Sequence, residues 1–108
     1  MAIVAVSISP VGEGPSVGRF VAEALRVARE QDRVRWRLDP MFTTLEGDLD
    51  EVLALVRRMQ EAVFGAGAVR VSTVLKIDDR RDRPARMEEK LQSVAERGDA
   101  ISTANESE

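Results

Sequence analysis

With no histidine and no cysteine among its 108 residues, this chain has carboxylates as its only side chains suited to moving a proton near neutral pH. It has neither imidazole nor thiolate to offer a transition metal. The lack of cysteine also removes disulfides and cysteine nucleophiles, and it fits a reducing compartment. The densest ionisable stretch is Lys76-Ile77-Asp78-Asp79-Arg80-Arg81-Asp82-Arg83-Pro84, nine residues that carry seven charges. Three aspartates and four cations nearly cancel, which predicts internal ion pairs rather than a phosphate-seeking patch. The neighbouring carboxylates Asp78 and Asp79 invite a cation, but Arg80, Arg81 and Arg83 beside them favour pairing within the run. Arg33, Arg35 and Arg37 alternate on one face of a short strand, where they discourage unwanted edge pairing more readily than they recognise phosphate. What remains is modest: the hydroxyls of Ser7, Ser9, Thr43, Thr44 and Ser72, the strand-end carboxylate of Glu46, and the rings of Trp36 and Phe42.

The elements that must position these groups follow from hydrophobic periodicity. Residues 2 to 11 alternate as Val4, Val6, Ile8 against Ile3, Ala5, Ser7, Ser9, the period-two pattern of a half-buried strand. Turn chemistry at Pro10 to Pro15 precedes Ser16, placed as the N-cap of a helix running to about Gln31 with Val17, Phe20, Val21, Ala24, Leu25 and Ala28 as its apolar stripe. Val34 to Leu38 alternates, Asp39-Pro40 breaks it, and Met41 to Glu46 resumes, which predicts a hairpin. Asp48 is placed to cap a second helix with Glu51 as its reciprocal partner, and Gly65-Ala66-Gly67 should stop that helix. Residues 69 to 77 read as the last strand. Asp82 and Pro84 open a third helix whose narrow stripe, Met87, Leu91 and Val94, must dock on something already folded. From Gly98 the chain is polar and aperiodic, so one domain over 1–98 and a disordered tail over 99–108 are expected.

The order βαββαβ with an additional C-terminal helix points to an α+β, ferredoxin-like subunit with a four-stranded antiparallel sheet, strands one and three in its centre. Val4, Val6 and Ile8 with Val69, Val71, Leu75 and Ile77 should face the helices, leaving Ala5, Ser7, Ser9, Ser72 and Val74 on an open face. That face is too apolar for solvent and too polar for a core, so a partner sheet or a small ligand should lie against it. A net charge of −3 with both signs interspersed, and no basic stripe interleaved with aromatics, argues against nucleic acid. The opening Met1-Ala2-Ile3-Val4 has no charged leader and too short an apolar run to span a membrane, so a soluble cytoplasmic protein is expected.

Several segments together resemble the small thiamine-binding protein family. They are Ser7-Ile8-Ser9-Pro10, Ser16-Val17, Pro40-Met41-Phe42-Thr43-Thr44-Leu45-Glu46-Gly47, Asp48-Leu49-Asp50-Glu51, and Thr73 to Asp82 followed by Met87-Glu88-Glu89-Lys90. The likeness runs over roughly residues 3 to 97. It implies a ferredoxin-like subunit assembled as a dimer of dimers, a homotetramer, that binds thiamine or its hydroxymethylpyrimidine portion with no reaction attached; the residues themselves suggest neither a cofactor nor a metal. Where the family pattern is Gly-Met-Gly-Thr this chain has Pro40-Met41-Phe42-Thr43, and a phenylalanine in place of glycine would shrink or reshape a pocket.

A thiamine site needs donors and acceptors for an aminopyrimidine edge, a carboxylate near the cationic thiazolium and an aromatic face. On that requirement the ligand-binding set is Ser7, Ser9, Phe42, Thr43, Thr44, Glu46 and Ser72, with no catalytic residue. Glu46 supplies the charge because it shares a nominal strand face with Phe42 and Thr44, unless it merely pairs at the strand end. Thr43 nominally points to the helix side, so only a bulge or twist would bring it to an open-face site. The alternative function is a structural or regulatory module whose open face exists only to assemble subunits.

Overall fold

A computed structural model describes residues 1–83 and 86–97. Strand β1 (Ala2–Pro10) leads to helix α1 (Gly18–Arg29), strands β2 (Arg35–Leu38) and β3 (Thr43–Gly47) form a hairpin, and helix α2 (Leu49–Gly65) returns to β4 (Val71–Asp79) before helix α3 (Met87–Arg97). The strands pair antiparallel in the order β2-β3-β1-β4, so the two central strands are the first and third. This is the ferredoxin-like arrangement that the element order implies.

Alternation along β1 decides which face is core. Ala2, Val4 and Val6 are buried and pack with Leu45 of β3, Phe20 of α1 and Met59 of α2. Each large apolar side chain hidden there contributes about 1.5–3 kcal/mol relative to exposure. Asp48 caps α2 by accepting from the Glu51 amide at 3.3 Å. The reciprocal half of the box is not made, because the Glu51 side chain pairs instead with Arg33 at 2.6 Å. At the other end the helix stops as expected, with Gly67 at φ +114, a conformation that costs glycine little.

Three boundaries differ from the sequence reading. The N-cap of α1 is Val17, with no side-chain cap, and Ser16 lies outside in an exposed turn. β3 begins at Thr43 rather than Met41, because the loop Asp39–Phe42 closes on itself through Asp39 N–H donating to Phe42 O at 3.0 Å. β4 spans Val71–Asp79 rather than 69 to 77, since the chain leaving Gly67 first crosses to β1, where Val11 N–H bonds Arg70 O. Val69 therefore stands exposed outside the sheet, and Leu75 and Ile77, although on the helix side, are exposed too. α2 reaches β4 through Gln60, which donates to Thr73 Oγ1 at 2.7 Å, but does not cover the strand beyond.

The other sheet face is partly occupied by α3. Register places Arg35, Glu46, Ile3 and Asp78 side by side in one row across all four strands. The first turn of α3 lies on that row: Met87 is buried, Glu88 pairs with Arg35, and Lys90 pairs with Asp78. Leu91 and Val94, expected to dock the helix, are about half exposed at 46% and 50%. Pro84, expected to open α3, and the tail over 99–108 lie outside the described residues.

Candidate functional site

The site begins with a mismatch in strand length. β1 pairs with β4 along its full length to Pro10, but its last partner in β3 is Thr43, opposite Val6. Among the described residues, no strand lies beside the β3-facing edge of β1 from Ser7 to Pro10, so its backbone donors and acceptors can meet another occupant. Residues of the hairpin loop and of α1 border this gap and form with it a solvent-open cavity of about 280 Å³. Its helix side is apolar, with Val17, Val21, Ala24 and Leu25 of α1 and Met59 of α2. Its polar groups, Ser7, Ser9, Asp39 and Thr43, all lie on the strand and loop side.

Asp39 is the one residue with a carboxylate among the described residues that line this cavity. Thr44 Oγ1 donates to its Oδ2 at 2.9 Å, Arg37 Nε lies 3.3 Å from its Oδ1, and its own amide closes the loop. Both carboxylate oxygens are thus engaged by the strands on either side of the loop, from Arg37 and Thr44, which share the sheet face opposite the helices. An anchored carboxylate next to free strand edge can accept from a ligand amine or a cationic ring.

Ser7, Ser9, Phe42 and Thr43 all line this cavity, but strand alternation puts the Ser7 and Ser9 side chains on the open sheet face, opposite Val6, Ile8 and Thr43, so the serines border it from the strand edge. Thr44 does not line the cavity; its hydroxyl donates to Asp39 on the opposite sheet face. Thr43 needs no bulge, because the cavity lies on the helix side and Thr43, opposite the core residue Val6, already points there. Ser72 sits opposite Ser9 on the far side of β1, exposed and outside the cavity. Glu46 is not brought to it either. Three residues along β3 from Thr43, it is 2% exposed, accepts the Met87 amide at 3.0 Å and receives Arg35 Nη1 at 3.0 Å. A carboxylate on the first amide of a helix serves as its cap. Trp36 packs on the core rather than lining the cavity.

Asp39 was legible in the sequence only as a break before Pro40. The further signal was its place in the hairpin turn, where an aspartate before proline organises the loop with its own side chain. The cavity itself had no local signal, since Val17, Val21 and Met59 read as core.

The charged run resolves into pairs. Arg80 bonds Asp82 at 2.6 Å and Arg81 bonds Asp79 at 3.0 Å. Asp78 and Asp79 point to opposite sheet faces, as neighbours on a strand must, so they do not converge on one cation. Arg80 holds the Asp82 carboxyl below its ordinary range. Together with Met1, Asp48 and Asp50 these residues line a broad cleft of about 640 Å³ at the opposite end of the sheet. Arg33, Arg35 and Arg37 each engage a carboxylate: Glu51, Glu46 with Glu88, and Asp39.

The sequence profile of the family described as "Thiamine-binding protein" matches residues 4–95. A Staphylococcus xylosus relative, "UPF0045 protein in glkA 3'region", is 42% identical over 98 residues, covering 87% of this chain and 92% of the relative. The crystal structure of hypothetical protein MJ1052 from Methanocaldococcus jannaschii shares 37% identity at a TM-score of 0.80, over 88% of this chain and 96% of that one. A Thermotoga maritima structure, provisionally named for thiamine biosynthesis or salvage, shares 20% identity at a TM-score of 0.74 over 86% of this chain and 97% of its own, and speaks to the fold alone. The chain belongs to the thiamine-binding protein family. Among the described residues, no helix is long and apolar enough to cross a membrane.

Proposed function

We propose that this protein binds thiamine, or a compound sharing its aminopyrimidine, reversibly in the cavity between α1 and the hairpin loop, with no covalent step. The observation that carries this reading is a solvent-open cavity, apolar on its helix side, that takes in a strand edge at Ser7 to Pro10 and the loop residue Asp39, whose carboxylate is anchored by Thr44 and Arg37. A heteroaromatic ring with an amine on one edge and a methyl group on the other meets its complement there. Thr43 supplies a hydroxyl, the strand edge from Ser7 through Ser9 supplies backbone groups, Phe42 supplies a ring face, and Thr44 positions Asp39. Glu46 and Ser72 fall outside the site in this reading. The absence of histidine and cysteine supports binding without catalysis, and the absence of cysteine suits the cytoplasm.

Calorimetric titration of the purified protein with thiamine and hydroxymethylpyrimidine tests the reading directly. Asp39→Asn should weaken binding by about 1.5–3 kcal/mol, the range for a hydrogen bond to a charged group, while circular dichroism remains unchanged. No binding of either compound at millimolar concentration would leave the alternative, a ligand-free assembly module. That alternative also has support, because Leu75 and Ile77 on β4 and Leu53 and Phe64 on α2 are exposed apolar side chains along one edge of the subunit. A dimer, or a dimer of dimers, would cover them.

A further inference from the structure

Thr43 apart, the polar side chains that border the cavity are engaged or turned aside. Both Asp39 oxygens are held by Thr44 and Arg37, and Ser7 and Ser9 point to the open sheet face. The main chain of β1 is a different matter. Val11 N–H donates to Arg70 O at 2.8 Å and Arg80 N–H to Met1 O at 3.3 Å, one pair beyond each end of the β1–β4 ladder. Main-chain bonding alternates along an antiparallel pair, so Ile3, Ala5, Ser7 and Ser9 bond β4, while Ala2, Val4, Val6, Ile8 and Pro10 turn their groups toward β3. β3 meets the first three of these and stops. The place opposite Ile8 belongs in register to Met41, which the turn at Pro40 carries out of the sheet and leaves 81% exposed. Ile8 therefore has both an N–H and a C=O without a ladder partner among the described residues, and it lines the cavity. Pro10 follows on the same edge, where a strand tolerates a residue that lacks an N–H. Val17 and Val21 of α1 line the same cavity, so a flat ring set edge-on to Ile8 has apolar side chains for its face.

We infer that the main-chain N–H and C=O of Ile8 are the directional contacts of this cavity, and that they select a planar ligand edge carrying an acceptor beside a donor, as an amidine or a cis-amide does. This rests on the binding reading above and names the groups that recognise the ligand. An aminopyrimidine fits in one orientation, its ring nitrogen accepting from Ile8 N–H while its amine donates to Ile8 O. Amide hydrogen exchange followed by NMR on the full chain is the test, with hydroxymethylpyrimidine and thiamine as probes. Without ligand, the Ile8 amide should exchange fast between slow neighbours at Ser7 and Ser9. With either probe at about ten times its Kd, that exchange should slow about tenfold, as mass action on the free fraction requires. A hydroxymethylpyrimidine analogue with a dimethylamino group in place of the amine should bind at least about fivefold more weakly, because it leaves an acceptor unmet. Ile8→Pro removes the N–H but no ladder bond, so it should bind roughly two- to tenfold more weakly than Ile8→Ala, which trims the side chain and keeps the donor. An Ile8 amide as protected as its neighbours in the free protein would overturn the inference, and so would bound ligand that leaves Ile8 exchange unchanged. An analogue that binds as well as its parent, or an Ile8→Pro protein that matches Ile8→Ala, would overturn it too, with the binding function left standing. If Ile8→Pro fails to fold, the exchange data and the analogue decide. No binding of either probe at millimolar concentration would instead remove the functional reading, and this inference with it.

Discussion

Glu46 and Asp39 exchange the roles that residue type suggests. Both are acids beside a strand, yet one is sealed beneath a helix and the other sits in the loop that borders a cavity. Removing the Glu46 carboxylate leaves the buried Met87 amide unsatisfied and Arg35 without its inner partner. Glu46→Ala should therefore lower unfolding stability by about 1–3 kcal/mol in urea titrations. Ligand affinity in the protein that remains folded should not change. Thr44→Val tests the opposite side of the distinction. It deletes the hydroxyl on Asp39 Oδ2 while keeping a β-branched side chain in β3. Ligand affinity should fall several-fold with little change in stability, because a freed carboxylate is less well pre-organised. A Thr44→Val protein that binds as the wild type does would show that Arg37 and the loop amide hold Asp39 unaided.

Among the elements, α3 is secured differently from α1 and α2. One buried apolar residue, Met87, is joined by the Glu46 cap and by two exposed ion pairs, Arg35 with Glu88 and Lys90 with Asp78. Arg35 lowers the Glu88 carboxyl below its ordinary 4.5, and Lys90 lowers Asp78 below its ordinary 3.8. Acids depressed in the docked state contribute fully above their ordinary values. That contribution declines as pH falls through the lowered ones, where the docked carboxylates finally take up protons. Docking of α3 should thus be unaffected between neutrality and about pH 5 and weaken below pH 4, and added salt should loosen it at neutral pH. Amide hydrogen exchange over α3 measures this. Faster exchange in α3 at pH 3.5, with β1 and α2 still protected, is the expected pattern. Uniform loss of protection throughout the fold would show instead that α3 opens only with global unfolding.

At the scale of the whole molecule, the uncovered surfaces are arranged by edge. β4 is an outer strand nine residues long with no proline, and its Leu75 and Ile77 are exposed on the helix side. Gln60 fixes α2 against β4, and Leu53 and Phe64 share its helical stripe. Such an edge invites another strand. Sedimentation equilibrium at micromolar concentration should give a dimer or tetramer, and Leu75→Lys with Ile77→Lys should shift it toward monomer without loss of secondary structure. A wild-type monomer would remove the assembly expectation. The first two turns of α3 also present Leu91 and Val94 outward, so truncation at Arg86 should reduce oligomer stability only if a neighbouring subunit covers them.

The element order, the central position of the first and third strands and the helix-facing side of β1 were all legible in the sequence. They depend on hydrophobic period, caps and turns, which are local signals. The end of α2 at Gly65-Ala66-Gly67 and the self-pairing of the Arg80 to Asp82 run were legible for the same reason. The fate of Glu46 was not, because its cap comes from Met87, 41 residues away. The exposure of Leu75 and Ile77 depended on how far α2 reaches across the outer strand, which no alternation pattern records. The cavity required β1 to outrun β3 by the residues from Ser7 to Pro10. That is a difference in register between two strands separated by a helix and a hairpin, and only tertiary packing sets it. Side-chain chemistry therefore announced which groups were available, whereas the relative lengths of paired strands decided which of them border the cavity.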